Sequence, residues 1–195
     1  MQISKKALLA VSVFTLFGFS FIAYFILSFS SEFSYAQIFE TDQALVSTLI
    51  GLGVGTLAGL IAIGLLELPF LKETRTFYTK MFQNIELNWS DILFYSFCAG
   101  VGEEILFRGA LQPLLGLWFT AVIFVFLHGY LTVADWKKSM YGLFLILVSA
   151  AFGYLTEYFD IFAAMAAHFI YDVIMFAKLM YDGKSLKTEN NESEA

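Results

Sequence analysis

Six long runs of apolar residues constrain this chain more than any other feature of its sequence. Residues 7–29, "ALLAVSVFTLFGFSFIAYFILSF", and residues 44–66 contain no charged side chain. A helix needs about 20 apolar residues to cross the ~30 Å hydrocarbon core of a bilayer, and lipid offers no partner for unpaired backbone groups. We therefore predict an all-α, polytopic transmembrane helix bundle with about six spans, at 7–29, 44–66, 91–117, 118–134, 139–156 and 161–181.

The composition supports a membrane protein and excludes other classes. Hydrophobic residues make up 59% of the chain, whereas soluble domains are about 45–50% apolar. The net charge is −6 and no basic stripe is present, so nucleic acid is not an expected partner. The single cysteine, Cys98, excludes an intrachain disulfide. We expect one domain in the cell membrane at 1–181, followed by a disordered acidic tail at 182–195, "DGKSLKTENNESEA".

Two segments differ from a plain apolar span. In the second span Gly51, Gly55 and Gly59 recur every four residues, which predicts a helix face that another helix can approach closely. Residues 70–86 place apolar and charged residues on opposite faces of a helix. This period of 3.6 residues predicts an amphipathic helix that lies in the membrane interface.

The distribution of basic residues predicts the orientation of the bundle. The connections near 30–43, 115–118 and 157–160 carry no Lys or Arg. The positive-inside rule therefore predicts that both termini are cytoplasmic. We expect the first span to be retained rather than cleaved as a signal peptide, because its apolar run exceeds the usual 7–15 residues. The alternate connections hold the basic residues Lys5, Lys6, Lys72, Arg75, Lys80, Lys137, Lys138, Lys178, Lys184 and Lys187.

Ionisable residues inside the predicted spans are concentrated in three of them. A charge at the centre of a membrane helix costs about 2.5–3.5 kcal/mol on insertion scales, so such residues point to a functional site. Both histidines of the chain lie inside spans, whereas the second and fifth spans carry no charge in their interiors. The residues concerned are Glu103, Glu104 and Arg108 in the third span, His128 in the fourth, and His168 and Asp172 in the sixth.

The spacing of these residues predicts one shared pocket. Glu104 and Arg108 are four residues apart, so they lie on one helix face and can pair. Glu103 is about 100° from Glu104 around the helix and is free to face a cavity. In the six-span arrangement Glu103, His128 and His168 all lie within one or two turns of mid-membrane.

Such a pocket could hydrolyse a peptide bond. A carboxylate beside a histidine can hold and deprotonate a water, and a second histidine can donate to an oxyanion. The same side chains are good ligands for zinc or iron. The residues alone therefore leave both a carboxylate-activated water and a metal-bound water open.

Three segments then resemble the motifs of the CAAX prenyl protease and bacteriocin-processing (CPBP) family of intramembrane proteases. "EEILFR" at 103–108 resembles EExxxR, "FVFLH" at 124–128 resembles FxxxH, and "HFIYD" at 168–172 resembles HxxxN or HxxxD. The motifs occur in order, each in its own span, and the resemblance covers a protease core at about 88–181. It implies an all-helical membrane fold and endopeptidase activity within the membrane.

The resemblance also implies roles for individual residues. Glu103 is expected to be the general base, with His128 helping to hold the water. His168 and Asp172 are expected on the oxyanion side, although an ionised Asp172 cannot donate a hydrogen bond. The motifs imply that Glu104 and Arg108 are supporting residues and that Phe124 is a packing residue.

Cofactor and substrate are less constrained by the resemblance. Family members have been described both as metalloproteases and as metal-independent glutamate proteases, so we expect either no cofactor or a divalent, zinc-like metal. Its ligands would be Glu103, His128, His168 and Asp172. Eukaryotic relatives remove the last three residues of prenylated CAAX proteins. The expected partners are thus the lipid bilayer and a peptide or membrane-protein substrate, with or without a lipid modification.

Two other functions are compatible with the sequence. The chain could be a non-catalytic immunity or scaffold protein that binds a peptide or a membrane partner. It could also be a proton or metal transporter, although such proteins often show paired repeats that are absent from this sequence. Asp160 lies in a turn between the last two spans, where the sequence predicts a solvated side chain.

Overall fold

The computed structural model describes residues 4–82 and 85–193, and every regular element in these ranges is helical. Residues 83–84 of the predicted interfacial segment and residues 194–195 of the predicted tail lie outside the described residues. The helices are α1 Lys5–Leu27, α2 Ala44–Leu66, α3 Lys72–Phe82, α4 Trp89–Glu104, α5 Gln112–Leu115, α6 Leu117–Leu127, α7 Trp136–Tyr158 and α8 Ile161–Ser193.

Among the described residues, four helices are long and apolar enough to cross a membrane. They are α1, α2, α7 and the part of α8 from Ile161 to Ser185. A further stretch of sufficient length is formed by α4 and α5 together, because the chain stays helical from Trp89 to Leu115 through a π-helical segment at Ile105–Leu111. The predicted all-helical, multi-pass membrane fold is confirmed.

The glycines of α2 pack against α8. A Cβ atom at Gly51 would lie 2.1 Å from the carbonyl oxygen of Ala163, and one at Gly55 would lie 2.1 Å from that of Ala167. Ala163 and Ala167 are themselves fully buried. Small residues on both helices thus bring the two backbones into direct contact, as the glycine period predicts.

The third span starts with a strong cap and contains a change of helical pitch. Asn88 and Asp91 form a reciprocal capping box at the start of α4. The π-helical turns begin directly after Glu104, and Gln112 N–H bonds to the carbonyl of Phe107, five residues earlier. Such π segments are rare and often occur at functional sites.

The fourth span differs from its prediction, which placed a continuous helix over 118–134. Helix α6 ends at Leu127, and its 11 residues cover only about 16 Å, or roughly half of the bilayer core. The cause is Gly129, whose φ of 72° ends the helix in a left-handed turn. Tyr130 N–H bonds to the carbonyl of Val125, and Gly129 N–H bonds to that of Phe126, which is the Schellman pattern.

The segment between α6 and α7 is held against α7. Ser139 Oγ donates to the carbonyl of Thr132 at 2.6 Å and accepts from its N–H at 2.9 Å. Gly142 allows a close approach, since a Cβ there would lie 2.7 Å from the carbonyl oxygen of Tyr130. Irregular backbone at membrane depth is tolerated only where protein or a polar cavity satisfies it.

Charged contacts fasten α3 to the ends of α7 and α8. Glu67 pairs with Arg75 and with Lys178, the latter at 2.7 Å. Hydrogen bonds from these two cations lower the pKa of the Glu67 carboxyl. Glu73 pairs with Lys137 of α7 at 3.1 Å. The amphipathic helix is therefore present over Lys72–Phe82, and its place in the membrane interface stays a prediction.

Asp160 is not solvated, contrary to the sequence-based prediction. Its Oδ1 accepts from the N–H groups of Phe162 and Ala163 and so caps the start of α8. Its Oδ2 accepts from the hydroxyls of Thr41 and Ser47 at 2.7 and 2.6 Å. The carboxylate is buried because it joins α8 to the beginning of α2.

The far end of α8 also differs from the expected disordered tail. The helix continues to Ser193. Residues 182–193 contain no proline, and Lys178 pairs with Asp182 one turn later at 2.6 Å, which supports a helix across this boundary. The single domain at 1–181 stays a prediction.

The α2–α8 contact makes a testable prediction. Gly55→Ala should lower the free energy of unfolding by about 1–3 kcal/mol, because the added methyl group meets the backbone of Ala167. The measurement is the thermal denaturation midpoint in detergent. Gly53→Ala is the matched control, because a Cβ at Gly53 meets nothing within 4 Å. Equal midpoints for the two variants would contradict this packing.

Candidate active site

One cavity of about 250 Å³ collects the ionisable residues that the sequence singles out. It lies between α1, α4, α6, α7 and α8. Glu103, His128, His168 and Asp172 line it, and they come from three different helical segments. The predicted convergence of these four side chains is therefore present in the structure.

Glu103 occupies the centre of this group. It is 9% exposed, and two glycines let neighbouring helices approach the backbone beside it. A Cβ at Gly102 would lie 2.2 Å from the carbonyl of Thr15 in α1, and one at Gly100 would lie 2.9 Å from the N atom of Phe169 in α8. Glu103 Oε2 is buried and forms no hydrogen bond with the described residues. This oxygen is the atom that faces both histidines.

His128 directs one ring nitrogen at Glu103. The residue directly follows α6, where its Nδ1 lies 2.7 Å from the carbonyl oxygen of Phe124. A carbonyl only accepts, so Nδ1 carries the proton in this contact. Nε2 is then directed into the cavity, 3.4 Å from Glu103 Oε2. The early end of α6 thus leaves this imidazole at the edge of the cavity, with its side chain 35% exposed.

His168 is held by Glu104, a contact that the spacing argument did not find. His168 Nδ1 lies 2.7 Å from Glu104 Oε1, and both side chains are buried. Its Nε2 lies 3.9 Å from Glu103 Oε2. The adjacent glutamates therefore act on opposite nitrogens of one ring, because they lie on different faces of α4.

Glu104 also pairs with Arg108, as predicted from their spacing. Arg108 Nη1 lies 3.1 Å from Glu104 Oε1, and neither side chain is accessible. Arg108 Nη2 donates to the carbonyl and the hydroxyl of Ser149 in α7, at 2.9 and 2.8 Å. The hydrogen bonds to Ser149 offset part of the cost of burying this ion pair, while Arg108 Nη1 and Glu104 Oε2 have no hydrogen-bond partner among the described residues.

Phe124 packs against the charged group on the α6 side. Its ring centroid lies 4.8 Å from the Arg108 guanidinium carbon, which is a cation–π distance. The same ring lies 4.4 Å from that of His128 and 5.8 Å from that of His168. This position agrees with the packing role that the motif implies.

Asp172 lies one turn beyond His168 on α8 and faces the same cavity. Its Oδ2 is 3.7 Å from His168 Nε2, which is longer than a hydrogen bond. The carboxylate thus contributes charge near the ring without fixing its orientation. Its role stays a prediction.

A resident metal ion was one of the expectations. Carboxylate and imidazole groups are of the type that zinc prefers. Within residues 4–82 and 85–193, however, no group of three or more His, Cys, Asp and Glu side chains could hold a metal ion. The residues as placed therefore do not fit a resident metal ion.

Sequence reasoning missed the contributions of α1 and α7. Ser149 binds Arg108, and Phe152 packs against His168 with ring centroids 5.7 Å apart. Ser12 and Thr15 of α1 line the cavity. None of these residues is ionisable, so a search for charges in spans passes over them. Their helical spacing from the buried residues on the same helix face could have identified them.

Comparisons with known proteins agree with the motifs. The sequence model of the family described as "Type II CAAX prenyl endopeptidase Rce1-like" matches residues 85–174. "Uncharacterized protein YpbD" from Bacillus subtilis (strain 168) is 32% identical over 94 residues. This alignment covers 47% of each protein, so the chain spans about half the length of the curated relative it matches. No solved structure matches the chain.

The matched range contains the whole charged part of the site. The three motif segments at 103–108, 124–128 and 168–172 all fall inside it, as does Ser149. Residues 85–174 therefore match the sequence model of the Rce1-like family of type II CAAX prenyl endopeptidases, in agreement with the resemblance of the three motifs.

Proposed function

We propose that this protein is an intramembrane endopeptidase in which Glu103 activates a water for attack on a peptide bond. The observation that carries the proposal is the position of Glu103 Oε2. It lies 3.4 Å from one histidine Nε2 and 3.9 Å from another, in a cavity within a membrane bundle. A water on the cavity side of these groups can hydrogen-bond to the Glu103 carboxylate and to His128 Nε2 at once.

The reaction requires one base and one site for the developing negative charge. Glu103 takes a proton from the water while the water oxygen bonds to the substrate carbonyl carbon. The tetrahedral intermediate collapses, the C–N bond breaks, and the proton passes from Glu103 to the leaving nitrogen. His128, fixed at Nδ1 by the Phe124 carbonyl, holds the water through Nε2.

His168 is proposed to stabilise the oxyanion. Its Nδ1–H donates to Glu104, so a second proton on Nε2 can be donated to the carbonyl oxygen of the substrate. Carboxylates of Glu103, Glu104 and Asp172 lie within 4 Å of this ring and balance the charge of the imidazolium. Asp172 is assigned this electrostatic role because its distance from Nε2 excludes a direct hydrogen bond.

The remaining assignments follow from the same proposal. The substrate is a peptide or membrane protein that reaches the cavity within the bilayer, with or without a lipid modification. The site lies in one membrane domain at 1–181. Both termini are cytoplasmic, which is supported by Lys5 at the start of α1, Lys137 at the start of α7 and Lys178 near the end of the sixth predicted span.

Replacing the proposed base gives the first functional prediction. Glu103→Gln should lower the hydrolysis rate by about 10²–10⁴-fold, because an amide cannot accept the proton of the water. The measurement is cleavage of a quenched fluorescent peptide library in lipid nanodiscs, with and without C-terminal prenylcysteine. Glu32→Gln, in the exposed connection after α1, is the matched control. Equal cleavage by wild type and Glu103→Gln would remove Glu103 from the mechanism.

Metal removal distinguishes a carboxylate-activated water from a metal-bound water as the nucleophile. We expect chelated protein that contains only substoichiometric zinc and iron to cleave at the wild-type rate, since a carboxylate takes the proton. Elemental analysis and activity should be measured on the same sample. Activity that is lost on chelation and returns in proportion to added metal would contradict a carboxylate-activated water.

The orientation can be tested by labelling single cysteines in intact cells. A membrane-impermeant maleimide should label Ser31→Cys directly and Lys6→Cys only after permeabilisation, because α1 crosses the membrane between them. The wild-type chain is the control, since its only cysteine, Cys98, is fully buried. The reverse labelling pattern would invert the proposed topology.

A further inference from the structure

Helix α1 forms one wall of the cavity, although it lies outside the range 85–174 that matches the family. The residues that face the cavity follow the helical spacing i, i+3, i+4, i+7. They are Leu8, Val11, Ser12 and Thr15. The wall is therefore apolar toward the start of α1 and carries two hydroxyl groups near Glu103.

The position of the hydroxyl groups is set by a tight contact between α1 and α4. A Cβ at Gly102 would lie 2.2 Å from the carbonyl oxygen of Thr15, so the two backbones touch one residue before Glu103. Ser12 and Thr15 are each 7% exposed. Their side chains thus line the same buried space as the Glu103 carboxylate.

These hydroxyls keep their hydrogen-bonding capacity. In membrane helices a serine or threonine commonly bonds to a carbonyl of the preceding turn. Ser20 of the same helix does so, donating to the Leu16 carbonyl at 2.6 Å. Neither Ser12 nor Thr15 has a side-chain hydrogen bond within the described part of the chain. The hydroxyls of Ser12 and Thr15 therefore face the cavity from an otherwise apolar helix face, and each can donate or accept a hydrogen bond.

A substrate segment bound in this cavity needs hydrogen-bond partners for its backbone. A peptide bond can be attacked only when its carbonyl is released from a helix, and each backbone group released in an apolar setting costs free energy unless it finds a partner. The described residues that line the cavity include no lysine or arginine. The α1 side of the cavity therefore offers such a segment two hydroxyl groups and no charged side chain.

We propose that Ser12 and Thr15 are positioning residues that hydrogen-bond the backbone of an unwound substrate segment and hold it beside Glu103. This inference rests on the endopeptidase function proposed above. It assigns a specificity to the site: uncharged membrane segments whose helix is broken near the scissile bond bind better than continuous helices.

Binding without cleavage tests the inference directly. Two labelled 20-residue Leu/Ala peptides, one with a central Gly-Pro pair and one without, are titrated against Glu103→Gln protein in nanodiscs. We expect the broken peptide to bind about tenfold tighter, because two hydrogen bonds of ordinary strength are gained. Adding Ser12→Ala and Thr15→Val should remove most of this preference. Ser12→Thr with Thr15→Ser keeps both hydroxyls and should retain it.

Ser20→Ala is the control for this experiment. Ser20→Ala should leave the preference unchanged, because that hydroxyl is bonded within its own helix. Equal binding of the two peptides, or a preference that survives Ser12→Ala with Thr15→Val, would overturn the inference. In cleavage assays the double variant should raise KM about tenfold with little change in kcat. Hydroxyl-dependent binding without any cleavage by the wild type would instead count against the proposed function.

Discussion

The buried carboxylate of Glu104 is the contact on which the rest of the site depends. Through one oxygen it meets Arg108 on its own helical segment and His168 on α8. Arg108 extends the link to Ser149 on α7. Because these contacts join α4 and the π-helical segment to both α7 and α8, they tie the helices to one relative position. That position leaves Glu103 facing the cavity.

Two irregularities in the helices complete the arrangement. The π-helical turns after Glu104 alter the pitch at the point where Arg108 must turn toward α7. The left-handed turn at Gly129 ends α6 half-way across the bundle and leaves His128 beside the cavity. The π-helical segment is mostly buried among neighbouring helices, whereas Leu127, His128 and Gly129 are exposed. At this exposed turn the N–H groups of Gly129 and Tyr130 are paired with carbonyls of α6, as a lipid setting requires.

The sequence predicted the features that depend on periodicity and charge. Apolar runs predicted the long helices, the glycines of α2 predicted its contact with α8, and three charged spans predicted the shared cavity. It did not predict where α6 ends, because hydropathy carries no information on backbone conformation. The pair His128–Gly129 is nevertheless a helix-stop signal. The Glu104–His168 contact and the capping role of Asp160 depend on tertiary packing, which spacing along one helix cannot reveal.

The central claim is that Glu103 and His128 act as one unit on a single water. A double-mutant cycle on kcat/KM tests it most directly, with Glu103→Gln, His128→Ala and the two combined. Residues that act as a unit give grossly non-additive losses, so the double variant should be no slower than the worse single variant. If the fold-loss of the double variant instead equalled the product of the two single fold-losses, the two side chains would act independently. That result would contradict the account.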